Sequence, residues 1–267
     1  MARPGIACTT FPFTGLPLRQ AFDRIAELGF SRAEMVVHHE PEWGHLTPAG
    51  ILRDPLLALE MVEEAQRQSG VRLAAMIVST EPYILAERGE FEAACKLARR
   101  VGAGIVTIRG TARDEVLEIR RLRDFTAVAM EQGLTPCLET RSDTPFGVPA
   151  AAAAVADHIA GLRLTLDTGH LLCRGHGPAT WSPLLPHLGH VHLRDAGGDD
   201  AHFQVPFGTG LLDTDRLLRD LHAAGFAGFL TAEYIGRRPE DAVTFEPDPE
   251  LRKVREYLER ALGKTAN

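Results

Sequence analysis

Thr165-Leu166-Asp167-Thr168-Gly169-His170 and, further along, His190-Val191-His192-Leu193-Arg194-Asp195 share one shape: a short apolar run that stops in groups able to bind metals or move protons. An unpaired carboxylate costs several kcal/mol (roughly 2–7 for a neutral polar group, more for a charge) once it leaves water. A buried strand therefore ends in Asp-Thr-Gly-His only where something answers the charge. Two further endings match, Cys137-Leu138-Glu139-Thr140 upstream and Thr231-Ala232-Glu233-Tyr234 downstream. The pattern predicts strands whose C-terminal ends share one polar site, with Glu139, Asp167, His192 and Glu233 around one divalent cation.

Working outward, apolar runs at 6–10, 33–37, 72–78, 105–108, 135–138, 163–166, 190–193 and 229–232 are expected strands. Between them, helical stripes are expected at 17–29, 55–69, 90–101, 114–132, 149–160 and 212–224, with a short helical turn at 183–188 and a closing amphipathic helix at 248–262. Gly29, Gly70, Gly133, Gly161 and Gly225 stand where such helices stop, and Asp213 is placed to cap one. Strands alternating with helices imply a parallel sheet. Eight such units predict a (β/α)8 TIM barrel, an α/β fold, as a single domain over residues 1–267, with its active site at the C-terminal strand ends. The rival, an open doubly wound sheet, would want a GxGxxG turn after the first strand, and residues 8–15 offer none.

The bulk composition narrows the function. The chain is 45% hydrophobic and 24% charged, with a net charge of −7. That balance argues against a nucleic-acid partner or an anionic membrane, where a basic footprint is expected. No apolar run approaches the ~18–20 residues that span a bilayer, and no signal peptide is expected. Cys8, Cys95, Cys137 and Cys173 are widely spaced and form no CxxC pair, so buried reduced thiols in a cytoplasmic protein are expected.

Three carboxylates and one imidazole suit a hard or borderline divalent ion such as Mn²⁺, Mg²⁺ or Co²⁺ better than a thiolate-type zinc site. His170, three residues past Asp167, is placed to reach a substrate. His190 shares a strand face with His192 but lies deeper. Arg194 and Asp195 stand at a loop entrance, and the Pro206-Phe207-Gly208-Thr209-Gly210 turn could pass over the site. His38, His45, Trp43 and Tyr83 fall in loops on the same presumed face, whereas His158, His187 and His222 fall on helices as surface residues. Arg109, Arg141 and Arg194 are the candidates to receive a phosphate, should the substrate carry one.

The segments 164–170, 190–195, 205–210 and 232–234, with Glu139 before them, resemble the sugar phosphate isomerase/epimerase superfamily of xylose-isomerase-like barrels. That group includes ketose 3-epimerases, hydroxypyruvate isomerases, inosose dehydratases and endonuclease IV. The resemblance implies one divalent metal (Mn, Mg, Co or Zn) held by Glu139, Asp167, His192 and Glu233. It implies that Glu139 and Glu233 double as the acid–base pair, and it places His170 on the substrate; Arg194, His202 and Tyr83 are further substrate-binding candidates. The implied chemistry is a metal-stabilised enediolate of a small sugar, keto-sugar or cyclitol. The same site serves epimerisation, aldose–ketose isomerisation and dehydration. The leading reading is a metal-dependent isomerase or epimerase, the runner-up is a same-fold lyase such as an inosose-type dehydratase, and a non-catalytic or accessory sugar-binding barrel is a third. Oligomerisation is common in such proteins, so a homo-oligomer is possible. Endonuclease IV uses three zinc ions and more histidines. Asp200-Ala201-His202 resembles its Asp-x-His pair, but Glu81 and Arg109 stand where its early histidines are expected, which argues against DNA repair.

Overall fold

The apolar runs form eight strands: β1 (Gly5–Thr9), β2 (Arg32–His38), β3 (Arg72–Ser79), β4 (Ile105–Ile108), β5 (Thr135–Glu139), β6 (Arg163–Asp167), β7 (Leu188–Leu193) and β8 (Phe229–Ala232). Every neighbour is parallel, and β8 pairs with β1 to close a barrel in sequence order. Parallel strands covered by helices are buried on both faces and so are apolar almost throughout; β3 buries every residue after Arg72. The fold is a (β/α)8 TIM barrel. The structure, a computed structural model, describes residues 3–111, 114–236 and 245–264.

Outside the strands run α1 (Leu18–Glu27), α2 (Pro48–Arg53), α3 (Pro55–Ser69), α4 (Glu87–Val101), α5 (Glu115–Glu131), α6 (Pro149–His158), α7 (Thr168–Leu172), α8 (Thr214–Ala223) and α9 (Pro247–Lys264). Each long helix buries one stripe; in α1 it is Leu18, Ala21, Phe22 and Ile25. Asp54, Asp114 and Asp213 cap their helices by accepting the backbone N–H of Leu57, Leu117 and Arg216, and such caps are worth ~1 kcal/mol each. Phe91 and Phe125 stack at 3.9 Å between α4 and α5. No helix among the described residues is long and apolar enough to cross a membrane.

Two connections differ from the expectation. The helical turn predicted at 183–188 is a single 3-10 turn, Leu185–His187. Pro178, Pro183 and Pro186 crowd this segment and forbid a regular helix. Trp181, fully buried, holds it instead, donating its indole N–H to the His176 carbonyl. Two short helices, α2 and α7, have no periodic stripe long enough to announce them. α7 starts directly on Asp167, whose carboxylate accepts the His170 backbone N–H.

The barrel interior is polar toward its C-terminal end. Glu34, Thr107, Thr165 and Thr231, one from each even-numbered strand, are all fully buried. Thr107 hydrogen-bonds Glu34 and Thr165, and Thr231 bonds His190. Register shifts at Ala33/Glu34 and Leu164/Thr165 re-aim two of these strands, as irregular pairing does next to active sites.

Candidate metal centre

Strand register brings the four expected ligands together. Glu139 and Asp167 are the last residues of β5 and β6, and Asp167 pairs with His192 of β7. His192 pairs in turn with Thr231 of β8, and Glu233 follows that strand, its backbone N–H donated to the Leu193 carbonyl. One ligand atom from each of Glu139, Asp167, His192 and Glu233 lies within 4.8 Å of all the others. His192 Nδ1 is 2.8 Å from Glu233 Oε2, 3.2 Å from Glu139 Oε1 and 3.8 Å from Asp167 Oδ2. All four side chains are buried.

The residues fit a divalent cation on physical grounds. Three carboxylates converge on one imidazole nitrogen, which has a single proton to offer. Glu139 Oε2 and Glu233 Oε2 are buried without a hydrogen-bond partner, a costly state that a cation would relieve. Without one, burial pushes the Glu139 carboxyl up to about 7, with Glu233 and Asp167 adding to the rise against the opposing pull of His192. Burial opposes ionisation of Asp167 too, but Arg194 and the neighbouring histidines hold it well below the usual range. His192 is pushed the other way: burial disfavours its charge, yet Glu233 and Glu34 raise it well above an ordinary imidazole.

Glu34 is the residue that sequence reasoning missed. Its Oε2 stands 2.9 Å from His192 Nε2 and 3.2 Å from His190 Nε2, with all three side chains fully buried. Despite burial, the two imidazoles hold its carboxyl far below the usual range. A carboxylate behind a ligating histidine sets the ring's orientation and leaves the other nitrogen for the metal. The signal was a lone Glu inside the apolar run 33–37.

A cavity of about 420 Å³ opens over the centre, lined among others by Glu139, Glu233, Arg109, Arg141, His170, Arg194, Trp43 and Phe203. His170 is held by Ser142, whose hydroxyl lies 2.8 Å from its Nδ1, and it meets Phe203 edge-on at 4.7 Å. Burial keeps its imidazole well below the ordinary value. Arg194 is buried, ion-paired with Asp167 and seated 4.2 Å over the Phe203 ring. Its stem crosses Gly169 so closely that a Cβ there would lie 2.2 Å from Nε. The Gly of Asp-Thr-Gly-His is thus a gap for Arg194.

Two of the residues expected to bind substrate are placed apart from the others. The structure does not bring Tyr83 or His202 to the cavity wall. The Tyr83 hydroxyl turns to Thr111 and Glu118, inside a buried network with Glu87 and Arg121. His202 is 41% exposed and bonds Asp199 at 2.7 Å. His45 is tied to the Thr10 carbonyl and also stands off the wall, whereas His38 and Trp43 line it. Asp195 does not face substrate: it accepts four backbone N–H groups, from Ala196, Gly208, Gly210 and Leu212, and so pins the glycine turn.

A parallel eight-stranded barrel with three carboxylates and one imidazole gathered at its C-terminal mouth defines the class of protein. A family profile described as xylose isomerase-like TIM barrel matches residues 22–261. The chain belongs to that family. No curated protein matches it by sequence. Among solved structures it is similar to a D-allulose 3-epimerase from Methylomonas sp. in complex with D-allulose (17% identity, 98% of each chain covered, TM-score 0.75). It is similar to a xylose isomerase-like TIM barrel protein from Mycobacterium smegmatis in complex with magnesium (18%, 98% of this chain and 97% of that one, TM-score 0.75). It is also similar to a probable 3-DHS dehydratase from Bacillus anthracis (12%, 94% and 98%, TM-score 0.71). At these identities the likeness shows the fold.

Proposed function

We propose that this barrel is a divalent-metal-dependent isomerase or epimerase of a small sugar, keto-sugar or cyclitol. The observation that carries the reading is the convergence of Glu139, Asp167 and Glu233 on His192 Nδ1, beneath a cavity of ligand size. A cation held there supplies Lewis-acid polarisation of a bound carbonyl and offsets negative charge developing on its oxygen.

The chain's own residues do the rest. Glu139 and Glu233 come from β5 and β8, the outer two of the four ligand-bearing strands, and both reach the cavity. One removes the proton next to the carbonyl and the other returns it, which inverts that carbon; a single carboxylate shuttling between adjacent carbons would isomerise instead. Both carboxylates line the cavity beside the position of the cation, which places them within reach of a bound substrate. Arg194 fixes Asp167, while Trp43 and Phe203 wall the cavity and limit water around the reacting carbon. The same pair could expel a β-hydroxyl, so a dehydratase is the runner-up. A small-molecule partner and a cytoplasmic setting accord with the net charge of −7 and four buried free thiols.

The test is elemental analysis of protein purified without chelator, for wild type and His192→Ala, followed by incubation with keto-sugars and cyclitols in deuterated water. The expected result is one Mn, Mg, Co or Zn per chain, lost in the variant, with solvent deuterium entering at the carbon next to the carbonyl. A product lighter by one water would select the lyase. Absence of bound metal after reconstitution with excess Mn²⁺ would refute the mechanism. Glu139→Gln and Glu233→Gln that keep sugar affinity, with a wild type that shows no turnover, would establish a binding barrel.

A further inference from the structure

The cavity wall carries a cation that the metal chemistry does not use. Arg109 follows β4 and Arg141 lies two residues past β5, so both guanidinium groups rise beside Glu139. Arg109 Nε is 3.5 Å and Arg141 Nη1 3.6 Å from the same oxygen, Glu139 Oε2. Both distances exceed a good N–H···O hydrogen bond, and that oxygen has no hydrogen-bond partner.

The two arginines differ in what else they hold. Arg141 is clamped by Asp143 through Nε at 3.0 Å and Nη2 at 2.6 Å, which leaves Nη1 facing the cavity. Arg109 has no such clamp: among the described residues its only ionic contact is Glu139. Its side chain is 19% exposed, on a cavity wall, with five N–H donors to satisfy.

With a divalent cation in the centre, Glu139 is spent as a ligand, and the lining charges nearly close. The three ligand carboxylates offset the cation and Arg194, and Asp143 offsets Arg141. Glu40 stands at the mouth with a side chain 54% exposed, where water screens it. Glu34 lies behind His192, off the cavity wall, against both imidazoles. One guanidinium, Arg109, is left over, with Arg141 Nη1 aimed at the same spot.

We propose that the substrate is an acid: a polyhydroxy or keto compound with a single carboxylate, received between Arg109 and Arg141 on the β4–β5 side of the metal. The inference rests on the metal-dependent reading above and names its substrate class. A planar carboxylate matches a guanidinium fork in geometry and charge. A dianionic phosphate would leave one charge unanswered. The carboxylate end then lies toward β4, and the carbons beyond it run past Glu139 toward Glu233.

The test is isothermal titration of Mn²⁺-loaded protein, its metal content measured on the same samples. The ligands are D-gluconate, D-fructose and D-fructose 6-phosphate, and the proteins are wild type, Arg109→Met and Arg109→Lys, each checked for native circular dichroism. Gluconate is expected to bind at least about tenfold more tightly than fructose, the scale of a charge-assisted pair. Arg109→Met should erase that preference and Arg109→Lys keep part of it, with one metal per chain in all three. Fructose binding as tightly as gluconate, or a preference that survives in Arg109→Met, overturns the proposal while the metal reading stands. Tighter binding of the phosphate ester overturns the carboxylate assignment. A wild type that holds no cation overturns the metal reading and, with it, the free charge on which this proposal rests. Should Arg109→Met fail to fold, Arg109→Lys decides: a preference reduced below that of wild type supports the proposal, and one equal to wild type overturns it.

Discussion

Replacing Asp195 by Asn tests whether one buried carboxylate holds the loop beside the site. Its Oδ1 accepts the N–H groups of Ala196 and Leu212, both at 3.0 Å, and its Oδ2 accepts those of Gly208 at 2.9 Å and Gly210 at 2.8 Å. The turn wraps so tightly that a Cβ on Gly210 would come within 2.3 Å of Oδ1. Asn keeps one acceptor oxygen and faces the other two donors with an amide of its own. Hydrogen bonds to charged groups are worth about 1.5–3 kcal/mol each, so losing two costs about 3–6 kcal/mol. Gly208 and Gly210 are exposed and can turn to water, which places the loss near the lower end, about 3 kcal/mol. An unfolding entropy of about 2.1 cal/mol/K per residue converts this to a fall in Tm of about 5 °C for a chain of this size. Thermal unfolding of metal-free protein, followed by circular dichroism, reads the shift, and hydrogen exchange should quicken at the 208–212 amides. Metal content should stay at the wild-type level because Asp195 is no ligand. A Tm within 1 °C of wild type, or unchanged exchange in the turn, would refute the account of Asp195 as an anchor.

Other consequences follow from the same geometry. Gly169→Ala should drive the Arg194 stem off Asp167 and weaken substrate affinity at least tenfold without removing the metal, as read by titration and elemental analysis. Because Glu139 in the metal-free protein is raised to about 7 and His192 is raised as well, metal uptake must expel protons. Mn²⁺ affinity should climb as pH rises from 6 to 8, and calorimetry in two buffers of different ionisation heat should show the release. His38 is held to about 4, first by burial and then by His39; its folded value lies below its unfolded one, so the unfolded chain binds the extra proton. Its contribution to stability, up to about 3 kcal/mol, is present above pH 6.5 and lost as pH falls toward 4, and His38→Gln should flatten that slope in urea titrations. Glu34→Gln should weaken metal binding about 10–100-fold while leaving the four ligands in place.

Much of the fold could be read in the sequence because the strands are largely apolar runs, and a barrel buries strands on both faces. The four residues proposed as ligands could be picked out for a related reason: a polar or charged group at the end of such a run stands out. Glu34 could have been found by the same test, but it lies inside a strand, where a single charge is easily absorbed into an apolar average. The approach of Arg109 and Arg141 to one oxygen had no linear signal. They leave different strands, and only the parallel pairing of β4 with β5 sets their ends side by side. Tyr83 and His202 lie apart from the other expected residues because a loop's position does not say where its side chains turn. Thr111 and Glu118 hold the Tyr83 hydroxyl, and Asp199 holds His202.

Asp167 shows why strand ends of this barrel carry two kinds of information at once. One of its oxygens, Oδ1, accepts the His170 N–H at 3.0 Å and starts α7; the other, Oδ2, meets Arg194 and faces His192 Nδ1. The cap places His170 at the cavity, and the ligand oxygen lies in the metal set, so the two roles cannot be separated by moving the residue. They can be separated by chemistry. Asp167→Asn keeps an acceptor for the cap, preserving α7 and the position of His170, but removes the charge that pairs with Arg194 and a cation. The expected result is a folded barrel with native circular dichroism whose metal affinity falls at least tenfold, whereas Asp167→Ala should lose the metal and about 1 kcal/mol of stability with the cap. Equal metal affinity in wild type and Asp167→Asn would show that Asp167 serves the helix alone.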